Sequence, residues 1–145
     1  MTLPDPDFNS DFYKDVPAKR LVAWGIDVVI ITALCILVIP FTAFTALFFL
    51  PVLYFTLGLT YRTMTLAKSS ATLGMRIMAI ELRDKDGARF DLKHAAIHSL
   101  LHNVLMASFI GQFVSILSLL MSTPSRSLPD HLLGSVMINK RAKYA

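Results

Sequence analysis

The chain has 145 residues, 54% of them hydrophobic and only 17% charged, against about a quarter charged in an ordinary soluble domain. With a mean hydropathy of +0.58, this excludes the usual water-facing surface and allows one domain in a bilayer. The net charge of +4 does not point to nucleic acid, because all fourteen Lys and Arg lie outside two long apolar stretches, 21–61 and 94–122. Positive flanks of that kind face the cytoplasm and anionic lipid.

Residues 1–17, with Pro4, Pro6, Pro17 and four Asp, predict a mobile tail with little structure of its own. They lack the basic start and apolar run of a signal peptide, so the first apolar helix is expected to stay in the chain. Segment 21–61 holds one charged residue, Asp27. It is long enough for two membrane spans of about 20 residues each. Pro40 predicts the turn between them, giving helices at about 19–39 and 42–61. Pro51 then falls in the second helix, where its missing N–H predicts a kink. Cys35, the single cysteine, reads as a small packing residue. Tyr54 and Tyr61 approach the helix end, where aromatic belts occur.

Residues 62–93 form a polar loop with seven Lys or Arg and four acids. Within it Arg76–Arg83 reads as a strand, Asp84–Gly87 as a turn and Ala88–Leu92 as the return, predicting a short β-hairpin at the membrane surface. Residues 94–122 are apolar and carry no formal charge. They are too long for one comfortable span and too short for two. Ala107, Gly111 and Ser115 are spaced four apart, which suits close helix packing. Ser108 and Ser118 are expected to bond back to their own helix. In the polar segment 123–145, Ser135–Asn139 reads as a short strand, followed by a basic end at 141–145. The fold class expected is an all-α membrane protein: a two-helix transmembrane hairpin, a third apolar segment that spans or re-enters, and a small cytoplasmic β-hairpin. The membrane domain runs from 18 to 140.

Lys and Arg counts give the orientation. Lys14, Lys19 and Arg20 flank the first helix, seven cations fill the loop, and none lies near Pro40. The amino terminus and the 62–93 loop are therefore expected in the cytoplasm. The carboxyl segment is basic as well. A single crossing by 94–122 would place it outside, whereas a re-entrant helix-turn-helix breaking near Gly111 would not. Such a broken segment requires its backbone to be buried in protein or to line water.

Asp27 is the most informative residue. A carboxylate in hydrocarbon costs about 2.5 kcal/mol or more on insertion scales, so it will be paired, hydrated or protonated. Arg20 lies seven residues earlier on the same helical face, about 10 Å away and beyond direct contact. The two define a polar stripe that either orients helices or forms an ion or proton site. His94, His98 and His102 form a second stripe at a spacing of four. Imidazoles at that spacing can share a metal, but no companion Cys or Glu pattern supports one. A polar interface or a proton relay fits them better. No phosphate loop, zinc-protease motif or nucleophile elbow is present, so neither a cofactor nor an enzymatic activity is expected.

Several segments together resemble the RDD family of small bacterial membrane proteins, named for one Arg and two Asp. They are Ala18-Lys19-Arg20-Leu21, Gly25-Ile26-Asp27, Ala71-Thr72-Leu73-Gly74-Met75-Arg76-Ile77 and Leu128-Pro129-Asp130-His131-Leu132-Leu133-Gly134. On that pattern Arg20, Asp27 and Asp130 are the three residues, and the resemblance implies that they gather into one polar core. The chain departs from the pattern at Met75, where a Lys is usual, and at Pro129, where a His is common. The resemblance implies a multi-pass protein of the inner membrane. Two functions stand open: a component of ion or small-solute transport, or a non-catalytic accessory or assembly subunit of a larger membrane complex. The expected partners are the bilayer and either further copies of this chain or subunits of such a complex. The chain is too small to enclose a pore alone.

Overall fold

The computed structural model describes residues 3–142. Helix α1 (Val16–Phe41) is 26 residues long, about 39 Å. Pro17 sits in its first turn, where the missing N–H costs nothing. Its inward face is Val16, Ala23, Asp27, Ile31 and Cys35. Leu21, Val22, Val29, Ile36 and Leu37 point outward and are exposed. So broad an apolar exterior would be an aggregation surface in water, and in a bilayer it is the face that meets lipid. Pro40 lies in the last turn of α1, and the chain reverses through Ala43 and Phe44, both at positive φ.

A 3-10 helix, Thr45–Phe49, leads into α2 (Leu50–Ser69). This corrects the expected helix at 42–61. Pro51 is in the first turn of α2 rather than its middle, so it starts the helix and kinks nothing. The helix also continues past Tyr61 to Ser69, because nothing between Gly58 and Ser69 breaks it. Arg62 and Leu66, assigned above to a loop, are buried on its inner face. Helices α1 and α2 are both long and apolar enough to cross a membrane.

After α2 the chain makes a single turn of helix, α3 (Leu73–Ile77), and then strand β1 (Ile80–Arg83). The apolar segment follows as α4 (Leu92–Ala107) and α5 (Phe109–Met121), bent by 116° at Ser108. The break falls three residues before Gly111. Ser108 does not bond back to its own helix. Its Oγ accepts from the Gly111 N–H and caps α5. Ala107 is thereby separated from Gly111 and Ser115, so these three do not form one packing face. Gly111 is instead crowded against Leu105 across the bend. Ser115 is buried, and its Oγ accepts from the Leu128 N–H. Helix α5 thus lies back against α6 (Leu128–Leu133), and strand β2 (Val136–Asn139) closes the chain.

The sheet is antiparallel, with Ile80 opposite Asn139 and Arg83 opposite Val136. The expected strand at 135–139 is present, but its partner is β1, more than fifty residues earlier. The local hairpin with 88–92 does not form. Arg76 and Ile77 belong to α3, and the turn at 84–87 is held by its own Asp84, whose Oδ1 accepts from the N–H of Asp86 and Ala88. Nor does the amino-terminal segment lack structure. Ser10–Phe12 is a 3-10 helix, and Phe12 is buried with Val136 and Ile138. Asn139 donates to the carbonyls of Asp11 and Lys14 and accepts from Lys19 Nζ at 2.6 Å. Residues 143–145 of the expected basic end lie outside the described residues. The amino-terminal segment, the 70–92 region, α6 and the sheet thus form one polar cap at the end of the helices where α1 starts and α2 ends.

Candidate functional site

The cap is joined to the helices by two buried carboxylates, both on the segments singled out above. Asp130 is fully buried at the N-terminal turn of α6. Its Oδ2 accepts from Arg20 Nη1 at 2.5 Å, from the Ser127 N–H at 3.0 Å and from Ser127 Oγ at 2.9 Å. Its Oδ1 contacts His98 Nε2 at 2.9 Å and accepts from Ser135 Oγ at 3.3 Å. Arg20 Nη2 donates to Ser127 Oγ. Burial alone would raise this carboxyl. The Arg20 charge, with the His98 and Ser127 hydrogen bonds, outweighs that effect and holds Asp130 well below the usual carboxylate range. One side chain thereby ties together α1, α4, α6 and the approach to β2.

Asp27 is equally buried, 1% exposed, seven residues further along α1. Its Oδ1 accepts from Tyr61 Oη at 2.7 Å and from the Gly74 N–H at 3.0 Å, and its Oδ2 from Thr72 Oγ1 at 2.6 Å. Thr72 also caps α3, its Oγ1 accepting from the Met75 N–H. Tyr61 Oη in turn accepts from the Leu73 N–H. This geometry explains the Leu73-Gly74 step in physical terms. A Cβ on Gly74 would stand 2.1 Å from the Ala23 carbonyl oxygen. Only glycine lets α3 approach α1 closely enough for its N–H to reach Asp27.

Arg20 and Asp27 make no direct contact, as their spacing requires. Arg20 pairs with Asp130, while the cation nearest Asp27 is Arg62, its Nη1 3.9 Å from Oδ2. The three residues of the family pattern therefore lie in two adjoining clusters. The histidines separate as well. His94 turns back to Asp91, whose carboxylate caps α4. The backbone N–H of His94, and then its ring, hold Asp91 below the ordinary carboxylate range. His98 belongs to the Asp130 cluster. His102 faces a cleft.

That cleft, about 570 Å³, runs between α1, α2 and the α4–α5 bend. Its walls are mostly apolar and include Val28, Ile31, Phe55 and Met106. Its polar positions include Asp27, Tyr54, Arg62, His102, Asn103 and Gln112. Arg62 is 5% exposed, and its Nε is buried without an acceptor among the described residues. Sequence reasoning missed Tyr61, Thr72 and Ser127 as carboxylate partners, and missed Arg62 because it was placed in a loop. The unbroken helix-forming run from Tyr61 to Lys68 was the signal that could have recovered it.

Apolar spanning helices closed at one end by a polar cap, with buried Arg and Asp between, define a small multi-helix membrane protein. The RDD family model matches residues 16–134, and the chain belongs to the RDD family. No curated protein and no solved structure matches it.

Proposed function

We propose that the chain is a non-catalytic component of small-solute transport, with the cleft between α1, α2 and α4 as its ligand site and the two carboxylates as clamps. In this reading the polar cap faces the cytoplasm of an inner-membrane protein, and α4–α5 re-enters on that side. A path across the bilayer is completed by further copies of the chain or by another subunit. The observation that carries the reading is the contrast within one cavity wall. Both oxygens of Asp27 are occupied by protein donors, whereas Arg62 Nε is without an acceptor. A carboxylate with both oxygens engaged by protein donors holds structure, and a buried unused donor calls for an added acceptor.

The test is to close the cleft without touching either clamp. A Cβ on Gly58 meets only Ile31 Cδ1 at 3.7 Å and Asn103 Nδ2 at 3.8 Å, so Gly58→Leu is accommodated at the helix and fills the cavity beyond. Cells expressing the wild type should differ from those expressing Gly58→Leu in the cellular level of at least one solute, read by untargeted mass spectrometry. Identical profiles, with both proteins folded and at equal abundance, would favour the accessory-subunit reading.

A further inference from the structure

We propose that the occupant of the cleft is an anionic phospholipid of the surrounding bilayer, one acyl chain lying between α1, α2 and α4 and its phosphate held by Arg62. The inference rests on the cleft being a ligand site and makes its ligand a bilayer lipid in place of a water-soluble small solute.

Three observations converge on it. The first is the arrangement along α2. Leu50, Pro51, Tyr54, Phe55, Gly58 and Arg62 all line the cleft, so it follows the helix for twelve residues, about 18 Å. Half of a hydrocarbon core of about 30 Å is about 15 Å. The cleft therefore has the length of one leaflet, with apolar walls along it and its cation at the end nearer the cap. The second is Arg62 itself. A guanidinium presents five donors in a planar fork that matches a phosphate through paired hydrogen bonds. Here Nε is buried without an acceptor, and the Asp27 oxygen nearest to Nη1 stands beyond hydrogen-bond reach. Asp27 cannot turn to meet it without releasing Tyr61, Thr72 or Gly74. His102 also lines the cleft, while Asn103 Nδ2 donates to the Phe55 carbonyl at 3.2 Å and stands near Gly58, partway along it. The third is access. Trp24, Leu50 and Phe55 line the cleft and remain exposed on the apolar exterior, so a chain can enter sideways from the bilayer. A small hydrophilic anion would match Arg62 but leave most of the apolar wall uncovered. A neutral hydrocarbon would cover the wall and leave the guanidinium unmet.

Trp24 is the only tryptophan and lines the cleft, which makes it a built-in reporter. The full-length protein is reconstituted into vesicles containing a small fraction of phosphatidylglycerol or phosphatidylcholine brominated on the acyl chain, and quenching of Trp24 is followed. Wild type should be quenched severalfold more by the brominated phosphatidylglycerol. Arg62→Gln should remove that preference, Arg62→Lys should retain part of it, and Gly58→Leu should reduce quenching by both lipids to that of bulk contact. Equal quenching by the two lipids in wild type, still sensitive to Gly58→Leu, would overturn the anionic occupant and leave the cleft a ligand site. Quenching that Gly58→Leu does not change would mean that no acyl chain enters the cleft, overturning the inference and removing the support for the proposed ligand site with it.

Discussion

Two regions of this protein bury charge, and they treat it differently. At the cap, Asp130 and Arg20 are joined directly, and the remaining capacity of Asp130 is filled by Ser127, His98 and Ser135. In the cleft, Arg62 lies beside Asp27 without a hydrogen bond between them, and its Nε has no acceptor. Water is absent from a hydrocarbon core, so the lost hydration of a buried charge must be replaced by protein groups or by a ligand. Around Asp130 the chain makes that replacement itself, although Glu81 Oε2, His98 Nδ1 and Arg126 Nε elsewhere near the cap are also buried without partners among the described residues. Around Arg62, which lines a cleft rather than packed protein, it is left half made, and on the proposed reading this difference separates scaffold from site.

The largest effect should come from breaking the cap. Arg20→Ala leaves Asp130 buried without its cation, and removing one partner of a buried pair costs about 3–5 kcal/mol. Thermal unfolding in detergent should show α1 and the cap losing their cooperative transition. A shift of only a degree or two would mean that the cap does not depend on the pair. Next comes Gly74→Ala. The added methyl carbon collides with the Ala23 backbone oxygen, and overpacking of this kind costs about 1–3 kcal/mol, occasionally more. Destabilisation should be accompanied by faster amide exchange in 72–78 as α3 lifts from Asp27. Unchanged exchange there would contradict the close approach.

A smaller, pH-dependent effect isolates Asp130. Its folded carboxyl lies below the unfolded value, so its contribution to stability is fully present above the unfolded pKa of about 3.9 and is lost as pH falls towards the folded value. The difference in melting temperature between wild type and Asp130→Asn should be constant from about pH 5 upward and narrow below about pH 4. A difference that narrows between pH 8 and 6 would show that another group governs the cap.

Much of the scaffold was legible because it rests on strong local signals. The apolar lengths of 21–61 and 94–122 gave the helices, and the isolated charge of Asp27 marked the inner face of α1. The Leu128–Gly134 segment, through its family likeness, brought Asp130 to Arg20. What could not be read was decided by contacts distant in sequence. β1 pairs with β2 across more than fifty residues, whereas the turn at 84–87 advertised a local hairpin. The break at Ser108 precedes Gly111 because a serine cap can start a helix where a glycine alone does not compel a bend. Arg62 was hidden by its charge, since a cation after an apolar run reads as the end of a span, and only the packing of α2 on α4 shows it turned inward.

The comparison between cap and cleft is tested most directly by removing each half of the Asp27–Arg62 pair in turn and measuring thermal stability in lipid-free detergent. Asp27→Asn keeps the shape but presents an amide where Tyr61, Thr72 and Gly74 all donate. Hydrogen bonds to charged groups are worth about 1.5–3 kcal/mol each, so this variant should melt well below wild type. Arg62→Gln removes a buried cation that stands 3.9 Å from Asp27 without a hydrogen bond to it; it leaves the three donors to Asp27 in place, and it should cost less than Asp27→Asn. If Arg62→Gln is the more damaging of the two, Arg62 is a strut like Arg20, and the division of the molecule into clamp and site is wrong.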